Sequence, residues 1–197
     1  MKILILIVMT FMFFTIEGNT SSLVVEKKYL QNHFDPDYSL VKLNVSNKTS
    51  SISKMIKVLR PKMANNKRLK LSQKIHNVVR NYKIPPHIIL AILDVESEFN
   101  QNKVSETEDY SIAQINLDIW EKEFDRLKKK KIDRERIKVD EEYSLKVMME
   151  ILDFLKSKYA KKDRKWFARY HSKNPKFKNL YLSKLSSRIY RLKVASL

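Results

Sequence analysis

No cysteine occurs in the 197 residues, so the fold must be held by packing rather than by disulfides, and lipid attachment through a cysteine is excluded. Glycine is almost as scarce, with Gly18 the only one. Every left-handed or tightly turned position beyond it must therefore be made by a residue that carries a Cβ. There is no glycine-rich phosphate loop and no histidine pair at zinc-ligand spacing, so no cofactor and no metal are expected. Long apolar runs are missing too. The run Ile3 to Ile16 falls short of the roughly 20 residues needed to span a bilayer. With Lys2 before it and Gly18, Asn19 and Thr20 after it, the run has the layout of a secretory signal, residues 1–20. Cleavage near Gly18 to Ser22, export to the periplasm or cell envelope and no stable membrane insertion afterwards are the expectations.

Negative charge is the last shortage. Against 40 Lys and Arg stand 22 Asp and Glu, a formal net charge of +18 with a pI near 9.9. Such a surface suits a polyanionic neighbourhood: a cell-wall polymer, a membrane surface or nucleic acid. Nucleic acid is disfavoured, because no strand carries interleaved aromatics and the expected export removes the chain from it. The Lys128 to Lys131 run with Arg134 and Arg136 reads as a solvated loop face.

The hydrophobic fraction of 43% supports one ordinary core. Residues 21–69 read as a polar N-terminal extension, with Asn44 to Ser53 (NVSNKTSSIS) its most linker-like part. Residues 70–193 carry helical periodicity, beginning with Leu71, Ile75, Val78, Val79 and Tyr82. A second helix follows Pro85 and Pro86, and a third is suggested by Ile115, Ile119, Trp120, Phe124 and Leu127. Asp140 can cap a long fourth helix whose stripe runs from Tyr143 to Tyr159. Two aromatic-rich helices, opened by Asp163 and Pro175, close the domain. The expected fold is mostly α, with at most a small β-hairpin near Ser105 to Ile112.

Chemistry concentrates between Pro85 and Asn116. At about 100° per residue, Glu96 falls inside the apolar arc of Ile88, Ile92, Val95 and Phe99, whereas Asp94 and Glu98 point roughly the opposite way. Burial and the negative end of the helix dipole both raise a carboxyl pKa, and a glutamic acid protonated near neutral pH is a general acid. The plain alternative is a side chain reaching past the core edge into water. Glycoside cleavage by two carboxylates needs a second acid about 5–9.5 Å away, and only the loop acids Glu106, Glu108 and Asp109 are candidates.

Three motifs in this part of the chain resemble, in order, those of the lysozyme-like lytic transglycosylases with a soluble lytic transglycosylase (SLT) catalytic domain. Val95-Glu96-Ser97 resembles the family's Glu-Ser motif, and Tyr110-Ser111-Ile112-Ala113-Gln114-Ile115-Asn116 its Gly-Leu-Met-Gln loop. Ala168-Arg169-Tyr170-His171-Ser172 resembles its Ala-Tyr motif. The resemblance covers about Leu71 to Leu192 and implies a lysozyme-like fold. The Gln-Ile-Asn and Tyr-His-Ser forms are most similar to small members that accompany secretion and conjugation machines, which implies such an assembly as a partner. Ser111 stands where the family has glycine, Ala113 where it has methionine, and Ser144 where it usually has asparagine.

The resemblance implies that Glu96 protonates the glycosidic oxygen between N-acetylmuramic acid and N-acetylglucosamine in peptidoglycan. The Glu96 carboxylate then deprotonates the sugar's own 6-hydroxyl, leaving a 1,6-anhydromuramyl end. Ser97 and Tyr170 would bond around Glu96, and Gln114 would hold a glycan N-acetyl or hydroxyl group through its amide. Ser97 can equally be a helix-end hydroxyl bonded to backbone, and Tyr170 plain core. His171 reads as packing, and Trp120 and Trp166 as core. Two other readings stay open: a non-catalytic wall-binding or scaffold protein, and a hydrolytic muramidase using a loop acid such as Asp109.

Overall fold

The computed structural model describes residues 45–172 and 174–195. The signal and residues 21–44 of the N-terminal extension lie outside these residues.

In chain order the elements are α1 (Val45–Leu59), α2 (Asn65–Val79), α3 (Pro86–Ser97), β1 (Asp109–Tyr110), β2 (Ile115–Asn116), α4 (Leu117–Arg126), α5 (Arg134–Val139), α6 (Glu141–Tyr159), a 3-10 turn (Trp166–Tyr170) and α7 (Pro175–Val194). Among the described residues the only sheet is the antiparallel pair β1–β2, with Asp109 opposite Asn116 and Tyr110 opposite Ile115. The mostly α expectation holds. The hairpin lies slightly further along than expected, with its turn at residues 111–114. No helix among the described residues is long and apolar enough to cross a membrane.

The chain's helix-start signals are polar caps. Asn116, Asp133, Asp140 and Asn174 each accept the backbone N–H of a first-turn residue, at 2.9–3.0 Å, opening α4, α5, α6 and α7. Each satisfies a donor that the helix leaves unpaired. Asp140 and Pro175 open their helices as expected. Two expectations shift: Ile115 belongs to β2, and the segment after Asp163 forms only the short 3-10 turn. Asp163 is instead an anchor, taking Arg169 at 3.0 Å and Lys178 Nζ at 2.7 Å and so tying the 3-10 turn to α7.

At the centre lies α3, whose residues Ile88 to Leu93 are all at most 5% exposed. Pro86 sits in its first turn, where a missing N–H costs nothing. A helix apolar on every side is a core helix, and α1 and α7 both pack on it. This corrects two sequence expectations. Residues 45–59 are a helix with Ile52, Ile56 and Leu59 buried, so the folded domain begins by residue 45 and not at residue 70. Asp94 does not face water: it is 2% exposed and held by Arg60 at 2.5 Å and Arg188 at 3.2 Å. The far face of α3 is covered by α1 and α7, and these two arginines bring the countercharges that a buried carboxylate requires. Glu98 remains exposed and takes the other arm of Arg60.

Trp120 and Trp166 are core. Trp120 makes edge contacts with Phe124 and Phe154 at 6.5 and 6.4 Å, and Trp166 packs edge-on to Phe167 at 5.9 Å.

Candidate active site

Glu96 is the penultimate residue of α3, and its side chain is 11% exposed. After Ser97 the chain leaves the helix through two residues of positive φ, Glu98 (58°) and Phe99 (62°). Glycine ordinarily fills such a C-terminal turn. Here the N–H groups of Glu98 and Phe99 bond back to Asp94 and Leu93, and Phe99 is fully buried, which offsets its conformational cost.

The loop 111–114 faces this helix end. Ser111 has φ 76° and Gln114 φ 46°, and both are buried. Three side chains pin the loop by its backbone carbonyls. Ser97 Oγ donates to Ile112 O at 2.6 Å, Tyr170 Oη donates to Ala113 O at 2.7 Å, and Gln114 Nε2 donates to Ser111 O at 2.9 Å and Lys103 O at 2.7 Å. Ser97 and Tyr170 therefore do not bond the Glu96 carboxylate; they hold the wall opposite it. Gln114 has spent its amide donors on the loop, which leaves its carbonyl oxygen as the part of its amide able to meet a ligand.

Around the carboxyl group stand residues from four parts of the chain. Burial pushes the Glu96 carboxyl up from the ordinary 4.5 to about 7; the Tyr181 hydroxyl opposes this, Asp109 adds to it, and Lys103 and Lys184 oppose it. Neither Glu96 Oε1 nor the Tyr181 hydroxyl makes a hydrogen bond of normal geometry, although both atoms are buried. His171 Nδ1 lies 3.9 Å from Glu96 Oε1, and its ring is stacked on that of Tyr181 with centroids 4.7 Å apart. Burial holds the His171 pKa below its ordinary 6.5, so the imidazole is neutral at neutral pH. Lys103 Nζ is occupied by the Glu96 backbone carbonyl at 2.8 Å.

Of the expected site residues, Glu96, Ser97, Gln114 and Tyr170 come together here. Tyr181 and Asp109 join them, and sequence reasoning gave neither a firm place. In the sequence Tyr181 is one of the aromatics of the helix opened by Pro175, with nothing to set it apart. Its role as the hydroxyl facing Glu96 depends on how α7 crosses α3. Ser144 makes a local brace, donating to Ile137 O at 2.8 Å and Asp140 O at 3.0 Å. Among the described residues no group of three His, Asp or Glu side chains can hold a metal ion.

A carboxyl group that stays protonated to about pH 7 in a dry site can give a proton to an ether oxygen and take one back. The family model described as Transglycosylase SLT domain matches residues 73–178, more than half of the chain. The chain belongs to this family. Neither the curated proteins nor the solved structures yield a match. Members of the SLT family are lytic transglycosylases that act on peptidoglycan, and the mostly α architecture is their lysozyme-like fold. The match begins inside α2 and ends inside α7, so it leaves out α1 and most of α7, including Tyr181.

Proposed function

We propose that the protein is an exported lytic transglycosylase that cleaves the β-1,4 bond between N-acetylmuramic acid and N-acetylglucosamine without water. Its product is a 1,6-anhydromuramyl end. The observation that carries this reading is the buried Glu96, raised to about 7 and bare of hydrogen bonds at Oε1. A proton held there is available to the glycosidic oxygen. Once the bond breaks, the carboxylate accepts the proton of the 6-hydroxyl as that oxygen closes on the anomeric carbon. Tyr181 and His171 flank the carboxyl group and restrict its rotamer, while Ser97 and Tyr170 fix the loop on which Gln114 offers an acceptor to the glycan. The basic surface, formally +18, suits an anionic envelope. Local opening of the wall for a secretion or conjugation apparatus rests on the likeness of Gln114-Ile115-Asn116 and Tyr170-His171-Ser172 to such members.

The test is mass spectrometry of muropeptides released from purified sacculi by the protein and by Glu96→Gln. Anhydromuramyl products from the first and none from the second are expected. Products from both would refute the role of Glu96. Binding to sacculi with no product from either would favour a scaffold.

A further inference from the structure

We propose that Asp109 is a second carboxylate of this site, an anion beside Glu96 that stabilises the positive charge developing on the sugar ring as the glycosidic bond breaks. The proposal rests on the reading of the site as glycan-cleaving.

Three observations carry it. The first is that Asp109 is a held side chain and not a loose loop acid. Its Oδ2 accepts from Ser105 Oγ at 3.1 Å and Thr107 Oγ1 at 2.9 Å, and its own N–H donates to Ser105 Oγ at 3.0 Å. Pairing with Asn116 fixes its backbone at the start of β1.

The second is the other oxygen. Oδ1 is buried without a hydrogen-bond partner, and so are Glu96 Oε1 and the Tyr181 hydroxyl. Among the described residues only one further buried side-chain polar atom, on His76, shares that condition. Bare buried polar atoms are costly, and a native fold keeps few of them without a use. The brace through Ser105 and Thr107 explains Oδ2 and would be served equally by an asparagine. It does not explain a bare charged oxygen.

The third is charge. In a chain of formal charge +18, Asp109 has no ion-pair partner among the described residues. Its field reaches Glu96 on α3, Tyr170 on the 3-10 turn and His171 after it, raising the proton affinity of each. An uncompensated carboxylate in a water-poor cleft favours a cation, and the cation formed here is the oxocarbenium-like sugar.

The step balances without a further reactant. Glu96 gives its proton to the glycosidic oxygen, and the bond from that oxygen to the anomeric carbon breaks with its electron pair going to oxygen. Asp109 faces the charge left on the anomeric carbon and ring oxygen and exchanges no atom. The 6-hydroxyl oxygen then bonds to the anomeric carbon and its proton returns to Glu96.

Asp109→Asn tests this with little change of shape, because the amide oxygen can keep the bonds from Ser105 and Thr107. Thr107→Ala, which weakens the brace and keeps the charge, is the structural control. Two readouts are needed: turnover of sacculi with product type, and titration of Glu96 by carboxyl-carbon NMR. The expected result is a loss in turnover of about 100-fold for Asp109→Asn. Glu96 titrates lower in that variant, while Thr107→Ala changes both far less. Equal losses in the two variants, or full turnover with an unmoved Glu96 in Asp109→Asn, overturn the proposal and leave the transglycosylase reading intact. Reducing ends from the wild type that vanish in Asp109→Asn make Asp109 a base for water, overturning both the charge-stabilising role and the anhydro product. A wild type that releases nothing removes the functional reading, and the proposal with it.

Discussion

Replacing Glu96 by glutamine should stabilise the protein, and only above mildly acidic pH. The wild-type carboxyl group is 11% exposed and raised from 4.5 to about 7, chiefly by burial. Below pH 4.5 it is protonated in the folded and unfolded chains alike and costs nothing. Between pH 4.5 and 7 the unfolded chain releases this proton while the folded chain keeps it, so stability falls as pH rises. Above pH 7 the loss is complete. From the ordinary 4.5 to about 7, at about 1.36 kcal/mol for each pKa unit, the loss comes to about 3 kcal/mol.

Glutamine has no proton to lose and escapes this cost. In urea titrations at pH 4 and pH 8, the advantage of Glu96→Gln over wild type should therefore grow by about 3 kcal/mol, or roughly 6–12 °C in Tm for a chain of this size. His87, pushed down to about 4 by burial, titrates near the same window but does so in both proteins, and its effect cancels in the difference. A stability difference that is flat with pH would refute the argument, because it would mean that Glu96 ionises normally in the fold. The experiment needs no substrate, so it tests the electrostatics of the site independently of what the site cleaves.

Turnover should decline as pH rises through about 7, the range in which Glu96 loses its proton, and Tyr181→Phe should move that decline upward because the hydroxyl lowers the Glu96 pKa; a pH–rate profile checks both. Asp94→Ala should cost about 3 kcal/mol, the low end for a broken buried ion pair, since Arg60 and Arg188 retain some solvent. Denaturant unfolding at constant pH measures it, and a loss below 1 kcal/mol would mean that the network is not coupled to α3. A chain starting at residue 70 should fail to fold while one starting at residue 45 succeeds. It loses the burial of Ile52, Ile56 and Leu59, roughly 1.5–3 kcal/mol each, which together rival the whole stability of an ordinary domain. Circular dichroism of the two chains decides.

Which parts of the molecule were legible in the sequence follows from how local their causes are. Glu96 inside the apolar arc needed only helix geometry, and its inward placement is what the structure shows. The cap at Asp140 and the proline start of α7 depend on a few neighbouring residues. Asp94 was misread because a helical wheel separates faces without saying what covers them. Its burial depends on two arginines 34 and 94 residues away. Helix α1 was hidden by its polar first half, NKTSS, although Ile52, Ile56 and Leu59 already stood at helical spacing. Ser97 and Tyr170 are expected to bond around Glu96, and the loop carbonyls of Ile112 and Ala113 take both hydroxyls instead.

The absence of glycine gives these hydroxyls their importance. A loop with glycine at positions 111 and 114 would turn without steric strain, whereas Ser111 and Gln114 sit at positive φ with full side chains. A left-handed residue with a Cβ costs roughly 1–2 kcal/mol, and such a loop persists only when its surroundings over-determine it. Ser97, Tyr170 and Gln114 supply that constraint through bonds of 2.6–2.9 Å to the loop carbonyls. Tyr170→Phe should then loosen the loop and leave the Ala113 carbonyl buried and bare, at about 1–3 kcal/mol. Ser111→Gly acts the other way. It removes the left-handed strain but adds roughly 0.5–1 kcal/mol of unfolded-state entropy and gives up the 3.3 Å bond from Ala113 N–H to Ser111 Oγ, so the net change by itself is small, within about 1 kcal/mol of zero. Combined, Ser111→Gly should recover part of what Tyr170→Phe loses, because a loop without strain needs less holding. Strict additivity of the two in a double-mutant cycle by denaturant unfolding would show that the hydroxyl and the strained turn are not linked.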